Sequence, residues 1–111
     1  MDHHIATAIE RRLNLGDVDL TAADSPDVVR KFCDDFCRRL VLRYLSNDLS
    51  WEDADVAANN IYLLMIRDCG GCVPNYAWDI YLAFDEGEMG DRGDSFTRPR
   101  ILEIEKEYGY A

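Results

Sequence analysis

The stretch SPDVVRKFCDDFCRRLVLRYLS, residues 25–46, decides the fold class. Ser25 can cap a helix, and Pro26 suits the first helical position because its missing N–H has no partner to lose there. At about 100° per residue, one broad face of this helix carries only apolar or weakly polar side chains. They are Val29, Phe32, Cys33, Phe36, Cys37, Leu40 and Tyr44. The pattern predicts an amphipathic helix over residues 26–46 whose apolar face joins a core.

Similar signals predict four more helices and no strand. Their bounds are about 2–15, 51–68, 74–86 and 100–108. The third helix of the chain begins after Ser50, a capping residue, and contains VAANNIYLLMI, which is apolar nearly all round. A chain of 111 residues forms one domain around one core. We therefore predict an all-α, single-domain bundle of four to five helices with a hydrophobic central third helix.

The negative charge is concentrated in the middle of the chain. The formal net charge is −10, and residues 48–94 carry 11 acidic but only 2 basic residues. Such a field repels phosphate and anionic lipid, so it disfavours nucleic-acid and membrane partners and favours a basic protein surface. The bases of the second helix follow Asp34 and Asp35 by four residues, which predicts ion pairs with Arg38 and Arg39. A role of the acidity in solubility alone remains an alternative.

The fourth predicted helix and the segment after it carry the candidate binding site. One stripe of this helix, Tyr76 to Phe84, suits the core, whereas other large apolar side chains point away from it. An acidic loop is predicted over residues 85–98. The predicted partner-binding residues are Trp78, Tyr81, Leu82, Asp85, Glu86, Glu88, Asp91 and Asp94. The alternative is that a terminal helix of the same chain covers Trp78 and Leu82.

The four cysteines form two spaced pairs that a metal or redox site could use. Cys33 and Cys37 are expected to pack in the core. If the second and third helices form a continuous hairpin, Cys69 lies about 7 Å from the level of Cys33, which disfavours zinc. Cys69 and Cys72 flank two glycines and are expected to form a turn. A thiol-redox or metal-binding protein using Cys69 and Cys72, with Cys33 as a third thiol, stays open as an alternative.

No catalytic constellation is apparent, so we predict no enzyme and no cofactor. The only histidines, His3 and His4, lie at the start of the chain, and no glycine loop that cradles phosphate precedes a helix. The sequence also lacks a secretory signal and a membrane-spanning run, which predicts a cytoplasmic protein with reduced thiols.

The leading hypothesis is a non-enzymatic acidic module that binds a basic protein surface. A small, acidic, all-helical chain with an aromatic and carboxylate patch is similar to bacterial immunity proteins, which neutralise basic toxin domains. This similarity of class implies an inhibitor of a basic partner. The further alternative is a structural subunit or a homodimer joined through the second apolar face of the fourth helix.

Overall fold

Helices account for all the regular structure of the chain. The computed structural model describes residues 1–111 and contains six α-helices. They are α1 (Asp2–Glu10), α2 (Pro26–Leu45), α3 (Trp51–Asn59), α4 (Tyr62–Arg67), α5 (Asn75–Glu88) and α6 (Asp94–Glu107), with 3₁₀ turns at Leu15–Val18 and Met89–Asp91. The predicted all-α globule is confirmed, and α3 and α4 are two parts of the predicted third helix. None of the helices combines the length and apolarity needed to cross a membrane.

The core lies where α2, α3 and α5 meet. α3 packs against α1, α2 and α5, as expected for a central helix, and α5 packs against α2, α3 and α6. The predicted apolar face of α2 is buried, with Phe32 only half-buried at its edge. Along α5, the stripe from Tyr76 to Phe84 is also buried. Apolar burial therefore fixes which side of each helix faces inward.

Short-range capping signals correctly identify where two helices begin. The Ser25 hydroxyl accepts a hydrogen bond from the Asp27 N–H at 3.2 Å. The Ser50 hydroxyl accepts one from the Asp53 N–H at 3.1 Å. Each cap satisfies an N–H group that the helix itself leaves without a partner.

The start of α5 is capped from another helix. The Asp34 carboxylate, on α2, accepts a hydrogen bond from the Ala77 N–H at 2.9 Å. Asp34 is therefore not paired with Arg38, as the sequence spacing predicts, because its carboxylate serves the neighbouring helix. This bond ties the N-terminal end of α5 to the middle of α2.

The first helix ends earlier than the predicted residue 15. α1 stops at Glu10, and Arg11 is extended, with φ −161° and ψ 170°. The Asp17 carboxylate accepts hydrogen bonds from the Arg11 guanidinium at 2.9 and 2.8 Å and from the Asn14 N–H at 2.7 Å. These bonds stabilise a bend that a continuous helix would not allow.

The predicted third helix is interrupted at Asn60 and Ile61. The Asn60 side-chain amide donates to the Ala8 carbonyl at 2.6 Å, and the Asn60 carbonyl accepts from the Leu13 N–H at 2.9 Å. The end of α1 and the segment after it thus bond to the chain at this break. The predicted helix over residues 51–68 is wrong here because Asn60 bonds to another segment instead of continuing the helix.

The predicted acidic loop over residues 85–98 is mostly helical. α5 continues to Glu88 and α6 begins at Asp94, so the prediction of a loop is wrong. The helices approach closely because Gly87 has no side chain at the point where Thr97 packs against it. The Thr97 hydroxyl donates to the Ala83 carbonyl at 3.0 Å. With this packing α6 begins at Asp94 and includes Pro99, whereas the predicted last helix begins at residue 100.

Candidate functional site

A polar stripe on α3 and the start of α4 faces a polar stripe on α5. On α3 and on α5 the residues lie four or three positions apart, so they share one side of their helix, and Tyr62 at the start of α4 follows the α3 residues beyond the break. The stripes are Asp55, Asn59 and Tyr62, and Tyr81, Asp85 and Glu88. Asn59 bonds to Glu88 at 2.9 Å, and the Tyr62 and Tyr81 ring centroids lie 5.1 Å apart, so the stripes run antiparallel. We call these six residues, together with Trp78, the α3–α5 face.

Three aromatic rings form one end of the α3–α5 face. Trp78 stacks on Tyr62 with ring centroids 6.1 Å apart and an interplanar angle of 28°, and it contacts Tyr81 at 5.2 Å. Trp78 and Tyr81 also pack against the core, yet all three rings are only half-buried. The rings therefore support one another and keep part of their surface in solvent.

Two carboxyl groups meet at the other end of the face. Asp55 is only 8 % exposed, and Glu88 is on the surface. The Asn59 side-chain amide donates to Asp55 Oδ1 at 3.3 Å and to Glu88 Oε1 at 2.9 Å, so one amide serves both acids. Burial, the hydrogen bond with Glu88 and the negative charges of Glu88 and Asp85 raise the pKa of Asp55 to about 8.

Most acidic residues around the face have no cation beside them. Between residues 48 and 94, only Asp48, Asp68 and Asp94 form an ion pair within 4.0 Å. The other acids in this range are Glu52, Asp53, Asp55, Asp79, Asp85, Glu86, Glu88 and Asp91. Most bases of α2 and α6, by contrast, are paired with acids. The unbalanced charge of the molecule is therefore concentrated on α3, α5 and the turn that follows α5.

A cleft continues the acidic surface beyond Glu88. Its volume is about 510 Å³, and Trp51 and Glu52 from the start of α3 line it together with Glu88 and Asp91. The Trp51 indole N–H donates to the Thr97 hydroxyl at 2.9 Å, which fixes the ring at the wall of the cleft. Glu88 thus belongs to both the α3–α5 face and the cleft.

The structure brings together most of the predicted binding residues, although not as one loop. Trp78, Tyr81, Asp85 and Glu88 lie on the α3–α5 face, and Asp91 lines the cleft. Leu82 is half-buried and Glu86 is exposed, both on α5. Asp94 also lines the cleft, but its charge is compensated there, because the Tyr44 hydroxyl donates to its carboxylate and Arg98, another lining residue, pairs with it at 3.2 Å.

Sequence reasoning missed the residues that α3 and α4 contribute to the site. Asp55, Asn59 and Tyr62 complete the face, and Trp51 and Glu52 line the cleft. The missed signal was a polar residue at positions 55, 59 and 62 of a segment that is otherwise mostly apolar. Such spacing marks one side of a helix and identifies a polar stripe within the buried segment.

The cysteines are arranged differently from the prediction. The Cys33 thiol donates a hydrogen bond to the Cys69 sulfur, so these two residues are in contact. The sequence had predicted a separation of about 7 Å along the helix axes. This bond and burial raise the pKa of Cys33, and accepting the bond lowers the pKa of Cys69. Cys69 is buried but Cys72 is exposed. The predicted separation assumed one continuous hairpin, whereas the helix is interrupted between Asn59 and Tyr62.

Burial makes the thiols distinguishable in solution. With a thiol-specific reagent we expect one fast-reacting group in the native protein and four after unfolding, since three cysteines are buried and only Cys72 is exposed. The Cys72→Ser variant should lose the fast phase and keep the other three thiols. Fast reaction of two or more native thiols would contradict this assignment and favour a redox role for the pair Cys69 and Cys72.

The site offers groups suited to a cationic partner. Carboxylates without cations attract ammonium and guanidinium groups, and exposed aromatic rings bind the same groups through their faces. No group of three or more His, Cys, Asp or Glu side chains is arranged to hold a metal ion. Comparisons with protein-family models, curated proteins and solved structures found no match to this chain.

Proposed function

We propose that this protein is a non-enzymatic binding module that docks a basic protein surface on the α3–α5 face and the adjoining acidic cleft. The observation that carries the proposal is the surplus of carboxylates without cations beside three half-exposed aromatic rings. An isolated soluble domain gains nothing in stability from like charges gathered on one side. A basic partner would relieve that repulsion.

The two parts of the face serve different steps of binding. The carboxylates act over distance and steer the approach of a positively charged surface, which raises the association rate. Trp78 and Tyr81 act after contact, because burial of large rings holds a complex and slows its dissociation. Salt should therefore slow association much more than it changes dissociation.

We further propose that binding inhibits the partner, in the manner of the bacterial immunity proteins to which the chain is similar in class. A basic toxin domain that acts on nucleic acid uses its positive surface for its substrate, and an acidic module would cover that surface. Self-association through the same face is disfavoured, because two copies would bring their unpaired carboxylates together. The proposed partner is therefore a different, basic chain.

A capture experiment with matched variants tests the proposal. Wild-type protein is immobilised, proteins retained from a lysate of the host are identified, and the purified pair is measured by binding kinetics at low and high salt. The double variant Asp85→Asn/Glu88→Gln should slow association roughly tenfold or more. The control Glu103→Gln/Glu107→Gln on α6 removes the same charge away from the face and should leave association nearly unchanged.

A separate variant tests the aromatic part. Trp78→Ala should speed dissociation by a factor of about 30 or more, as loss of a buried aromatic anchor does. Leu102→Ala, at an exposed position of α6, is its control. Equal retention of the basic partner by wild-type protein and both face variants would refute the proposal, as would the absence of any retained basic protein.

A further inference from the structure

We infer that Asp55 and Glu88 form a proton-responsive carboxyl pair, which joins α3 to α5 when it shares a proton and adds a negative charge to the α3–α5 face when it loses that proton. The pair is a property of the free protein. Its consequence for docking rests on the proposed function. The two statements are therefore tested by separate measurements.

The geometry leaves Asp55 with too few donors for a buried negative charge. Asn59 is the only side-chain donor to both acids, and it supplies one nitrogen to Asp55 Oδ1 and Glu88 Oε1. A buried carboxylate needs more hydrogen bonds or a cation to remain ionised at low cost. A proton on Asp55 removes this shortage, because the neutral acid donates a hydrogen bond to Glu88.

The surroundings of Asp55 contain acids and a phenol but no cation. Glu88 and Asp85 of α5 face the Asp55 carboxyl group, and Tyr81 lies behind them. Asn59 faces it from the same helix as Asp55. α1 and α2 also pack against α3, yet neither brings a positive group within 4.0 Å of the Asp55 carboxylate. The charges of Glu88 and Asp85 therefore both favour the protonated form of Asp55.

The sign of the effect on stability follows from the pKa. The folded-state pKa of Asp55, about 8, lies above the usual 3.8, so folding takes up a proton between these values. The resulting stabilisation is complete below about pH 4 and is lost as the pH rises through about 8. Above that pH, two like charges face each other across the contact between α3 and α5.

The sign of the effect on docking is the opposite. Loss of the proton makes the α3–α5 face more negative, so a basic partner should bind more tightly as the pH rises through the same range. At lower pH, docking should release a proton from the pair. Falling stability together with rising affinity distinguishes this pair from a carboxyl group that has only a structural role.

Carboxyl NMR of the free protein tests the pair directly. With ¹³C-labelled aspartate and glutamate, we expect Asp55 to titrate near pH 8 in wild-type protein. The Glu88→Gln variant should lower that midpoint by about one pH unit or more, because it removes a neighbouring charge. Glu86→Gln, which removes the same charge from an exposed position on α5, should leave the midpoint nearly unchanged. An Asp55 midpoint near 4, or equal effects of the two variants, would overturn the inference.

Unfolding by urea gives an independent readout. Wild-type stability should fall between about pH 5 and about pH 8, and the Asp55→Asn variant should lose that slope, since its amide carries no titrating proton. Equal slopes in the two proteins would contradict the pair. The substitution keeps the shape of the side chain, so both proteins can be compared as folded chains.

A labelled ten-residue arginine peptide tests the link to docking. With an acetylated N-terminus and a label that does not titrate, the peptide keeps a constant charge over this range. Fluorescence anisotropy at about pH 6 and about pH 9, at fixed ionic strength, therefore reports changes in the protein. We expect wild-type protein to bind several-fold more tightly at the higher pH and Asp55→Asn to show little change. Binding that is independent of pH in both proteins would overturn the link to docking. A peptide that does not bind would count against the proposed function and against its pH control, while the NMR titration still decides whether the pair exists.

Discussion

Replacing Gly87 by alanine is expected to lower the free energy of unfolding by about 2–4 kcal/mol. A Cβ at this position would collide with the Thr97 hydroxyl and would lie 3.2 Å from the Gly93 carbonyl. Thr97 has no room to move, because it is fully buried and its hydroxyl bonds to both Trp51 and Ala83. The cost therefore combines a steric clash with the weakening of two hydrogen bonds.

A glycine elsewhere in the chain provides the control. A Cβ added to Gly16 would have no heavy atom within 4 Å, and the backbone there does not need a positive φ. Gly16→Ala should therefore change the free energy of unfolding by less than about 0.5 kcal/mol. Urea unfolding followed by circular dichroism measures both variants. Equal losses in the two would show that the contact between Gly87 and Thr97 does not limit the packing of α5 on α6.

A double variant separates the clash from other effects of alanine. In Gly87→Ala/Thr97→Ala the colliding hydroxyl is absent, whereas the remaining Cβ of residue 97 lies 3.5 Å away, an ordinary contact. The two substitutions should therefore be less harmful together than the sum of their separate effects. The same contact holds Trp51 at the wall of the acidic cleft, so we expect Gly87→Ala to disturb the cleft as well.

Local signals predicted the helices well, because caps and apolar periodicity depend on neighbours in sequence. Ser25 and Ser50 begin their helices as expected. The loop predicted over residues 85–98 was wrong because the start of α6 depends on a contact between Gly87 and Thr97, which belong to different helices. Local propensity alone cannot reveal such a contact.

The candidate site was half predictable for a related reason. Trp78 was identified from α5 alone, because it points away from the stripe that suits the core, and Asp85 was identified from the run of acids that begins with it. Asp55 and Tyr62 were missed because their role depends on which helix lies opposite α5. The sequence predicts the faces of individual helices, whereas the partner of each face follows from the tertiary packing.

Replacing Arg38 by alanine is expected to cost about 3 kcal/mol, a large effect for a residue at the edge of the core. The Arg38 guanidinium lies 2.6 Å from Glu105 Oε2 and 3.7 Å from the centre of the Tyr110 ring. Glu105 is only 3 % exposed, and its other oxygen accepts the Tyr76 hydroxyl at 2.5 Å. Without Arg38, the buried Glu105 carboxylate would keep only the neutral Tyr76 hydroxyl as a hydrogen-bond donor. The contact between the guanidinium and the Tyr110 ring would also be lost.

The neighbouring arginine is a matched control. Arg39 pairs with Asp2 at 2.7 Å, but both side chains are about half exposed, so Arg39→Ala should cost less than about 1 kcal/mol. Adding Glu105→Gln to Arg38→Ala should recover part of the loss, because it removes the uncompensated charge. Urea unfolding of the four proteins, including wild type, gives the comparison; equal costs for Arg38→Ala and Arg39→Ala would contradict the argument.

Two arginines of α2 pair with acids on other helices. Arg38 and Arg39 were expected to pair with acids on their own helix, but they bind α6 and α1 instead. Because these cations are used to join helices, they do not neutralise the carboxylates of α3 and α5. Arg38→Ala should therefore destabilise the protein without changing the charge of the α3–α5 face. Asp85→Asn/Glu88→Gln should instead weaken docking by removing charge from that face, and a binding assay on the folded variants checks this separation.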